Sequence, residues 1–423
     1  MEIVVVGAGI SGLASAYFLS QKGHRVTVLE QSDVLGGLAA SVKEDRWQWP
    51  LEGFYHHFFQ KDRYLQGLLK DLGLAKDLVY HSAQTSLFCQ GQVLPFDTVK
   101  DFLSFPHLPF KDKIRMGSAI FLLRQTPFWP IFKNTYAKDV FPKTFGISGW
   151  ETVWQPLMEG KFGPAWEEVA SAWFWARIKS RSSKLGYLLG GTEGLLGKLK
   201  DEIKKNGGQI KLNCPIKKLH QTESGWLVVG PKGSFKADRV VLATDFSQAL
   251  TLSKDYLAPE EVAQWQDLKS LGALTLILRL ERKFLPGETY WLNILDPSFP
   301  FVAVVEQTNL VDKKIYAGEH VVYVGGYYQQ NNPIFTWSQQ KVFDRFAPFL
   351  RRISPSFDQF LIGSRCFSAL NAQPIISPGY QHLVPPLKLT DSGLFCLSTN
   401  HIYPWDRGMN QSVVLANKLA QMV

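Results

Sequence analysis

Three glycines, Gly7, Gly9 and Gly12, stand in the run Val4-Val5-Val6-Gly7-Ala8-Gly9-Ile10-Ser11-Gly12. This is the spacing of a loop that grips a pyrophosphate. Gly7 permits the tight turn, Gly9 lets backbone approach the anion, and Gly12 lets the helix pack on the strand. Ile10 and Ser11 open that helix, whose first N–H groups and positive dipole end face the bound phosphates in such a loop. Glu30 follows Gly12 by eighteen positions, with Gln31 beside it. An acid there accepts hydrogen bonds from ribose hydroxyls.

These residues need a particular frame. Glu2 to Val6 reads as a strand, its residues after Glu2 a continuous β-branched run, as a strand buried on both faces should be. Ser11 to Lys22 reads as a helix and Arg25 to Glu30 as a second strand, completing a βαβ unit. Gly36-Gly37, followed by Leu38, is either a plain turn or a second close approach of backbone to a cofactor. The chain has one glycine cradle, which argues against a separate nicotinamide-nucleotide domain.

Farther on, Leu195 to Lys205 reads as an amphipathic helix ended by Gly207-Gly208, with the strand Gln209 to Asn213 after it. Trp226 to Val229, Ala237 to Leu242, Leu274 to Leu280, Phe301 to Val305, His320 to Gly325 and Leu394 to Leu397 read as strands. A closing helix starts at about Asn410. Between them, from about Ser86 to Lys184, prolines and aromatics cluster among helical spacings, so the chain leaves the dinucleotide domain and returns twice.

With 423 residues, 45% hydrophobic and 20% charged, the chain is globular and larger than one core. The net charge of +9 lies in scattered basic pairs without interleaved aromatics, so nucleic acid is set aside as a partner. Cys89, Cys214, Cys366 and Cys396 lack metal or disulfide spacing and suit a reducing compartment; no metal site is expected. Ile3 to Leu19 is uncharged but lacks the basic start of a signal peptide, and no apolar run reaches 18 residues. The expected location is therefore cytoplasmic. Phe110 to Arg124, basic at its ends and apolar between, is either a buried helix or a peripheral membrane contact.

Gly7–Gly12, Glu30 and Gly36-Gly37 together resemble the flavin amine oxidase superfamily, which includes protoporphyrinogen oxidase, phytoene desaturase and, more distantly, UDP-galactopyranose mutase. Tyr187 to Leu195 and Gly207 to Ile216 resemble its glycine-pair loop, helix and strand, and Asp238 to Thr244 the strand that follows. The resemblance implies FAD as cofactor. It also implies an α/β chain, α+β overall, in which a Rossmann-type FAD-binding domain (1–85, 186–250 and 385–423) is interleaved with a substrate domain of mixed sheet and helices (86–185 and 251–384). Ile216 and Thr244 fall among the implied cofactor contacts.

Finer likenesses diverge. Trp154 to Gly163 is similar to protoporphyrinogen-oxidase-like proteins, whereas His56-His57-Phe58, Val305-Glu306-Gln307 and Tyr403 to Gln411 look like the mutase. The mutase has an arginine where Ala303 stands here. The closing segment implies cofactor contacts at Asp406, Met409, Asn410 and Gln411, the helix N-terminus favouring a reduced, anionic flavin. His56 is expected against the cofactor and His57 as a proton-handling group. Arg177 and Arg181 match a segment that meets phosphate in the mutase, and guanidinium forks suit diphosphate or carboxylate. Tyr327-Tyr328 and Tyr403 offer hydroxyls, so Tyr328 and Tyr403 join the expected substrate contacts. Trp173-Phe174-Trp175 reads as core.

The function so implied is FAD-dependent removal of hydride, in C–N or C–C dehydrogenation, from a bulky, partly apolar small molecule. The alternative is a redox-neutral flavin mutase acting on a nucleotide sugar. A lipidic and an anionic substrate both stay open, and no pattern sets an oligomeric state.

Overall fold

The computed structural model describes residues 1–127, 129–182 and 184–423. Glu2–Val6 lies at the centre of a five-stranded parallel sheet, ordered Gln209–Lys211, Arg25–Leu29, Glu2–Val6, Arg239–Leu242, Leu394–Cys396. Helices Ile10–Gln21, Gly191–Lys205 and Met409–Met422 cover one face through Leu13, Leu199 and Val413. The other face meets an antiparallel sheet and the helix Phe246–Ser253, with Trp226 and Phe246 in one core with Val4 and Val6. Burial on both faces is why Val4 to Val6 does not alternate with polar residues.

The stretch from Ala237 to Leu242, expected as one strand, is two. Gly233–Ala237 ends in the antiparallel sheet and Arg239–Leu242 belongs to the parallel one. Asp238 marks the change, its carboxylate accepting the Glu2 N–H at 2.7 Å.

A second, seven-stranded sheet runs Leu361–Pro374, Ser270–Leu280, His320–Tyr328, Ala303–Glu306, Thr289–Ile294, Gln84–Cys89, Gln92–Pro95. It is antiparallel except between Thr289–Ile294 and Gln84–Cys89. The helix Gln339–Ile353 packs on it through Val342, Phe346 and Leu350. Helices Phe110–Gln125, Ala137–Phe145, Gln155–Phe162 and Ser171–Ser180 gather around Phe141, Trp150 and Phe174. Trp173, Phe174 and Trp175 are all buried in this aromatic core. A Rossmann-type sheet interleaved with a mixed sheet and helices is thus the observed α/β architecture.

The four cysteines are free. Among the described residues no helix is long and apolar enough to cross a membrane, and no cluster of His, Cys, Asp and Glu is arranged to hold a metal.

Candidate functional site

At Gly7 the chain leaves the central strand with φ +103°, and a Cβ there would stand 2.6 Å from the Ala243 carbonyl oxygen. A Cβ on Gly12 would stand 2.0 Å from the Gly7 carbonyl oxygen, so the helix rests directly on the turn. Gly9 is different. The nearest atom that its absent Cβ would meet is the Gly36 carbonyl oxygen at 3.8 Å, an ordinary contact, so a Cβ there would displace no protein atom. No side chain caps this helix and no acid stands in its first turn. Its first N–H groups therefore await an acceptor from outside the helix. Gly36 donates its N–H to Ala8 O at 2.9 Å, laying the second glycine pair beside Gly9.

Glu30 is buried beside this turn. Its Oε2 accepts the Ala8 N–H at 2.7 Å and its Oε1 accepts the Ser32 N–H at 2.9 Å. A carboxylate has about four acceptor positions, so two are left for a ligand.

A cavity of about 670 Å³ opens here, within the range of small-molecule sites. Gly7, Gly9, Ile10 and Ser11 line it at the turn, and Glu30, Gln31 and Ile216 line it beside the second strand. Gly36, Gly37, Leu38 and His56 form another wall, and Thr244 and Met409 a further one. Arg407 and Gly408 line it too. The cradle over the helix N-terminus, the buried acid and the cavity lined by both fit an FAD.

Other expected contacts lie off this cavity. Gly12 is beneath the turn, in contact with Gly7. Asn410 spends its Oδ1 on the Leu65 N–H at 3.1 Å, and Gln411 is half-buried on the same helix. Asp406 is taken by cations: its Oδ2 accepts from Arg177 at 2.7 Å and Lys161 at 3.2 Å, and its Oδ1 from Trp173 Nε1 at 3.3 Å. Burial works to raise the Asp406 carboxyl, but Lys161, Arg177 and Arg407 together hold it well below the ordinary carboxylate range. Burial lowers the Lys161 ammonium more than Asp406 raises it.

The histidines divide. His56 reaches the cavity and binds Phe54 O through Nδ1 at 2.6 Å; burial pushes it down to about 4, against that bond. His57 does not line the cavity. Its ring packs edge-on to Phe59, Tyr290 and Trp291, with Nδ1 sealed and unpartnered. Burial, then Arg177 and Arg181, pull it down to about 3. Neither ring is charged at neutral pH, and His57 lacks the near-neutral value of a proton shuttle.

Of the expected substrate residues, Arg177 joins Asp406, while Arg181 is exposed among Arg177, Arg124 and Asp97. Tyr328 donates its hydroxyl to Pro300 O, and Tyr403 donates to Gln381 Oε1 at 3.1 Å, so both offer rings rather than free hydroxyls. Tyr328 borders a second cavity of about 220 Å³ with Gly160, Phe301 and Tyr327.

Arg407, Lys161 and Tyr55 were not among the expected site residues. Arg407 donates Nη2 to the Tyr327 hydroxyl at 2.8 Å and Nε to Gln373 Oε1 at 3.2 Å. Tyr55 is packed against Trp291 and Tyr323, and burial, then Tyr327, raises its phenol well above the ordinary range. A basic residue adjoining Asp406 in Trp405-Asp406-Arg407-Gly408 was the one available signal.

The sequence profile of the flavin containing amine oxidoreductases matches residues 10–330. The chain is 25% identical over 361 residues to the 15-cis-phytoene desaturase of Capsicum annuum, covering 75% of this chain and 58% of that protein. It thus spans little more than half the length of that relative. Its fold matches an oxidoreductase from Methanosarcina mazei with a TM-score of 0.76 at 18% identity, covering 100% of both chains. It also matches reduced UDP-galactopyranose mutase with a TM-score of 0.76 at 14% identity, covering 100% of this chain and 96% of the other. With the profile matching residues 10–330 and the glycine turn and Glu30 lining one cavity, the chain belongs to the flavin containing amine oxidoreductase family, and its cofactor is FAD.

Proposed function

We propose that this chain is an FAD-dependent oxidoreductase that removes hydride from a C–N or C–C bond of a bulky, partly apolar substrate. The observation that carries the reading is the position of Arg407. It lines the dinucleotide cavity and also bonds Tyr327, which borders the second, largely apolar cavity. A site that must hold a cofactor and a substrate side by side needs two such spaces sharing a wall. When bound, the flavin supplies the two-electron acceptor.

The chain's own residues supply the rest. Gly9 and the uncapped helix N-terminus take the pyrophosphate, with Ile10 and Ser11, and Glu30 with Gln31 takes the ribose. Ile216, Thr244, Gly36, Gly37, Leu38 and His56 form the walls. The closing helix begins uncapped at Gly408, with no acid in its first turn, so its positive end at Met409 favours negative charge in the cavity. Arg177 and Arg181 orient an anionic part of the substrate, and the rings of Tyr328 and Tyr403 an apolar part.

The five parallel strands come from 1–85, 186–250 and 385–423, which supports those ranges as the cofactor domain and 86–185 with 251–384 as the substrate domain. The strand Gln84–Cys89 belongs to the second sheet, so the first boundary is better set before Gln84. The helix Phe110–Gln125 shows Phe110, Ile114 and Phe121 to solvent beside exposed Lys111, Arg115 and Arg124, a pattern suited to an anionic lipid surface.

The cations around Asp406 favour a second reading, a redox-neutral mutase acting on a nucleotide sugar. Against it, Ala303 is buried in its strand where the mutase carries an arginine, and Glu306 is occupied by the Phe284 and Leu285 N–H groups at 3.2 and 2.6 Å. Anaerobic mixing of the FAD-loaded protein with amines, porphyrinogens, polyprenoids and sugar nucleotides tests the choice. Bleaching of the flavin by one of the first three classes is the expected result. Sugar isomerisation that needs prior reduction, with no donor bleaching the flavin, would overturn it.

A further inference from the structure

We propose that Tyr327 is the group that takes the proton when the substrate loses hydride, an inference that rests on the oxidoreductase reading above. Tyr327 stands near the end of the strand His320–Tyr328. Its phenol oxygen accepts Arg407 Nη2 at 2.8 Å, and Lys161 Nζ lies 5.5 Å from its ring centre.

The charges around it do not balance. Lys161, Arg177 and Arg407 converge on one carboxylate, Asp406, which already accepts from Lys161, Arg177, Trp173 and the Arg407 backbone N–H. The Arg407 guanidinium itself is left with Gln373 Oε1 and the Tyr327 phenol, both neutral acceptors. Unpaired buried cations are unfavourable, and a phenolate at Tyr327 would neutralise one of them.

The groups facing the phenol come from every neighbouring element: Lys161, Arg177, Asp406, Arg407 and Tyr55. Burial and Asp406 work to raise it, but Arg407, Lys161 and Arg177 outweigh them and draw it below the ordinary tyrosine range. Tyr55, raised by its burial, stays protonated beside it. Tyr327 also borders the second cavity, while its partner Arg407 borders the first, which sets the Tyr327–Arg407 pair between the two spaces.

The step balances as follows. The substrate C–H bond breaks and its electron pair leaves as hydride, for which a bound, oxidised FAD would be the two-electron acceptor. On the adjoining nitrogen or carbon the X–H bond breaks, its electrons form the C=X double bond, and its proton joins Tyr327 Oη to give the neutral phenol.

The test uses FAD-loaded protein containing tyrosine labelled with carbon-13 at the hydroxyl-bearing ring carbon, titrated by NMR. One resonance should ionise below the ordinary tyrosine value of about 10 and be missing from Tyr327→Phe. In Arg407→Gln that resonance should ionise at higher pH. If the resonance lost in Tyr327→Phe titrates with the ordinary tyrosines, the proposal is wrong. With a donor that bleaches the flavin, the single-turnover rate of the wild type should rise with pH through the same ionisation. Tyr327→Phe should lower that rate by about 10² to 10⁴-fold and remove the pH-dependent limb, with flavin and substrate affinities retained. A slower variant that keeps the limb overturns the proton role. Failure of every donor to bleach the wild type is the separate failure of the oxidoreductase reading, and the role falls with it.

Discussion

Glu30 is tied to Ala8 across the turn that begins the fold, its Oε2 accepting the Ala8 N–H at 2.7 Å. The sequence assigned this acid to a ribose, and the structure gives it a second task, holding the glycine turn and the Ser32 N–H at once. In Glu30→Gln one of the two oxygens becomes an amide that cannot accept. Hydrogen bonds to a charged group contribute about 1.5–3 kcal/mol, so FAD affinity should fall by about tenfold to a hundredfold. Titration of FAD fluorescence measures it, and an unchanged affinity would leave Glu30 with no part in holding the cofactor.

Gly9 and Gly12 should fail in different ways when changed to alanine. At Gly12 the new Cβ meets the Gly7 carbonyl oxygen at 2.0 Å, forcing helix and strand apart. Overpacking of that kind costs about 1–3 kcal/mol, and the unfolding temperature should drop. At Gly9 the protein has room, its nearest atom being 3.8 Å away, so Gly9→Ala should fold normally while its methyl group fills the cradle. Colourless, thermally normal Gly9→Ala protein is the expected outcome. Yellow protein with wild-type FAD affinity would show that the pyrophosphate lies elsewhere.

The difference between these glycines and the cationic cluster explains what the sequence disclosed. Gly7, Gly9, Gly12 and Glu30 act through strand, turn and helix contiguous in the chain, so each residue type is set by its neighbours in sequence. Arg177 and Asp406 are 229 positions apart and Lys161 and Asp406 are 245 apart, and no periodicity joins such residues. Asp406 was visible as an acid near the last helix, but its partners depend on how the helices Gln155–Phe162 and Ser171–Ser180 pack. The strand Leu361–Pro374 was missed for a related reason. It mixes Arg365, Ser368 and Asn371 with apolar residues because much of it is only half-buried.

Asp406→Asn isolates that packing in one atom. Asp406 and Lys161 are both largely buried, and removing one partner of such a group leaves charge without a counterion, at about 3–5 kcal/mol. Arg177 reaches solvent and softens this, so about 3 kcal/mol is expected at pH 7 by denaturant unfolding. The folded carboxyl is depressed, so its stabilisation is complete above the unfolded value of about 4 and is lost as pH falls below it. The gap between wild type and variant should therefore narrow in acid. A gap that is small at pH 7, or constant into acid, would mean that the ion pairs contribute little.

His57 makes the opposite kind of test, because its expected proton-handling role and its observed surroundings disagree. The folded ring is held down to about 3 by burial, then by Arg177 and Arg181. A lowered histidine value contributes stability above the unfolded value of about 6.5 and loses it as pH falls toward the folded value. Wild-type unfolding temperature should therefore decline between pH 7 and pH 5, and His57→Phe, whose ring suits Phe59, Tyr290 and Trp291, should decline less. Its flavin bleaching rate should stay within about twofold of the wild type. A hundredfold slower rate, the scale of a lost general acid or base, would restore His57 to the chemistry.

The helix Phe110–Gln125 packs inward through Met116, Ala119 and Leu123, yet leaves Phe110, Ile114 and Phe121 more than half exposed on its far side. Spacings of four and eleven put those three on one face. Val99, Leu103 and Ile131 add exposed apolar surface from neighbouring segments, and Lys111, Arg115 and Arg124 supply charge. Apolar anchors ringed by cations favour an anionic bilayer over a neutral one, since each basic residue near such a surface is worth about 1 kcal/mol. The protein should therefore sediment with vesicles containing phosphatidylserine, less with pure phosphatidylcholine, and less again at high salt. Phe110→Ser combined with Phe121→Ser removes two anchors of about 1.5–3 kcal/mol each, so vesicle affinity should fall by at least about tenfold with FAD content unchanged. Equal sedimentation of the double variant would show that this face does not meet lipid.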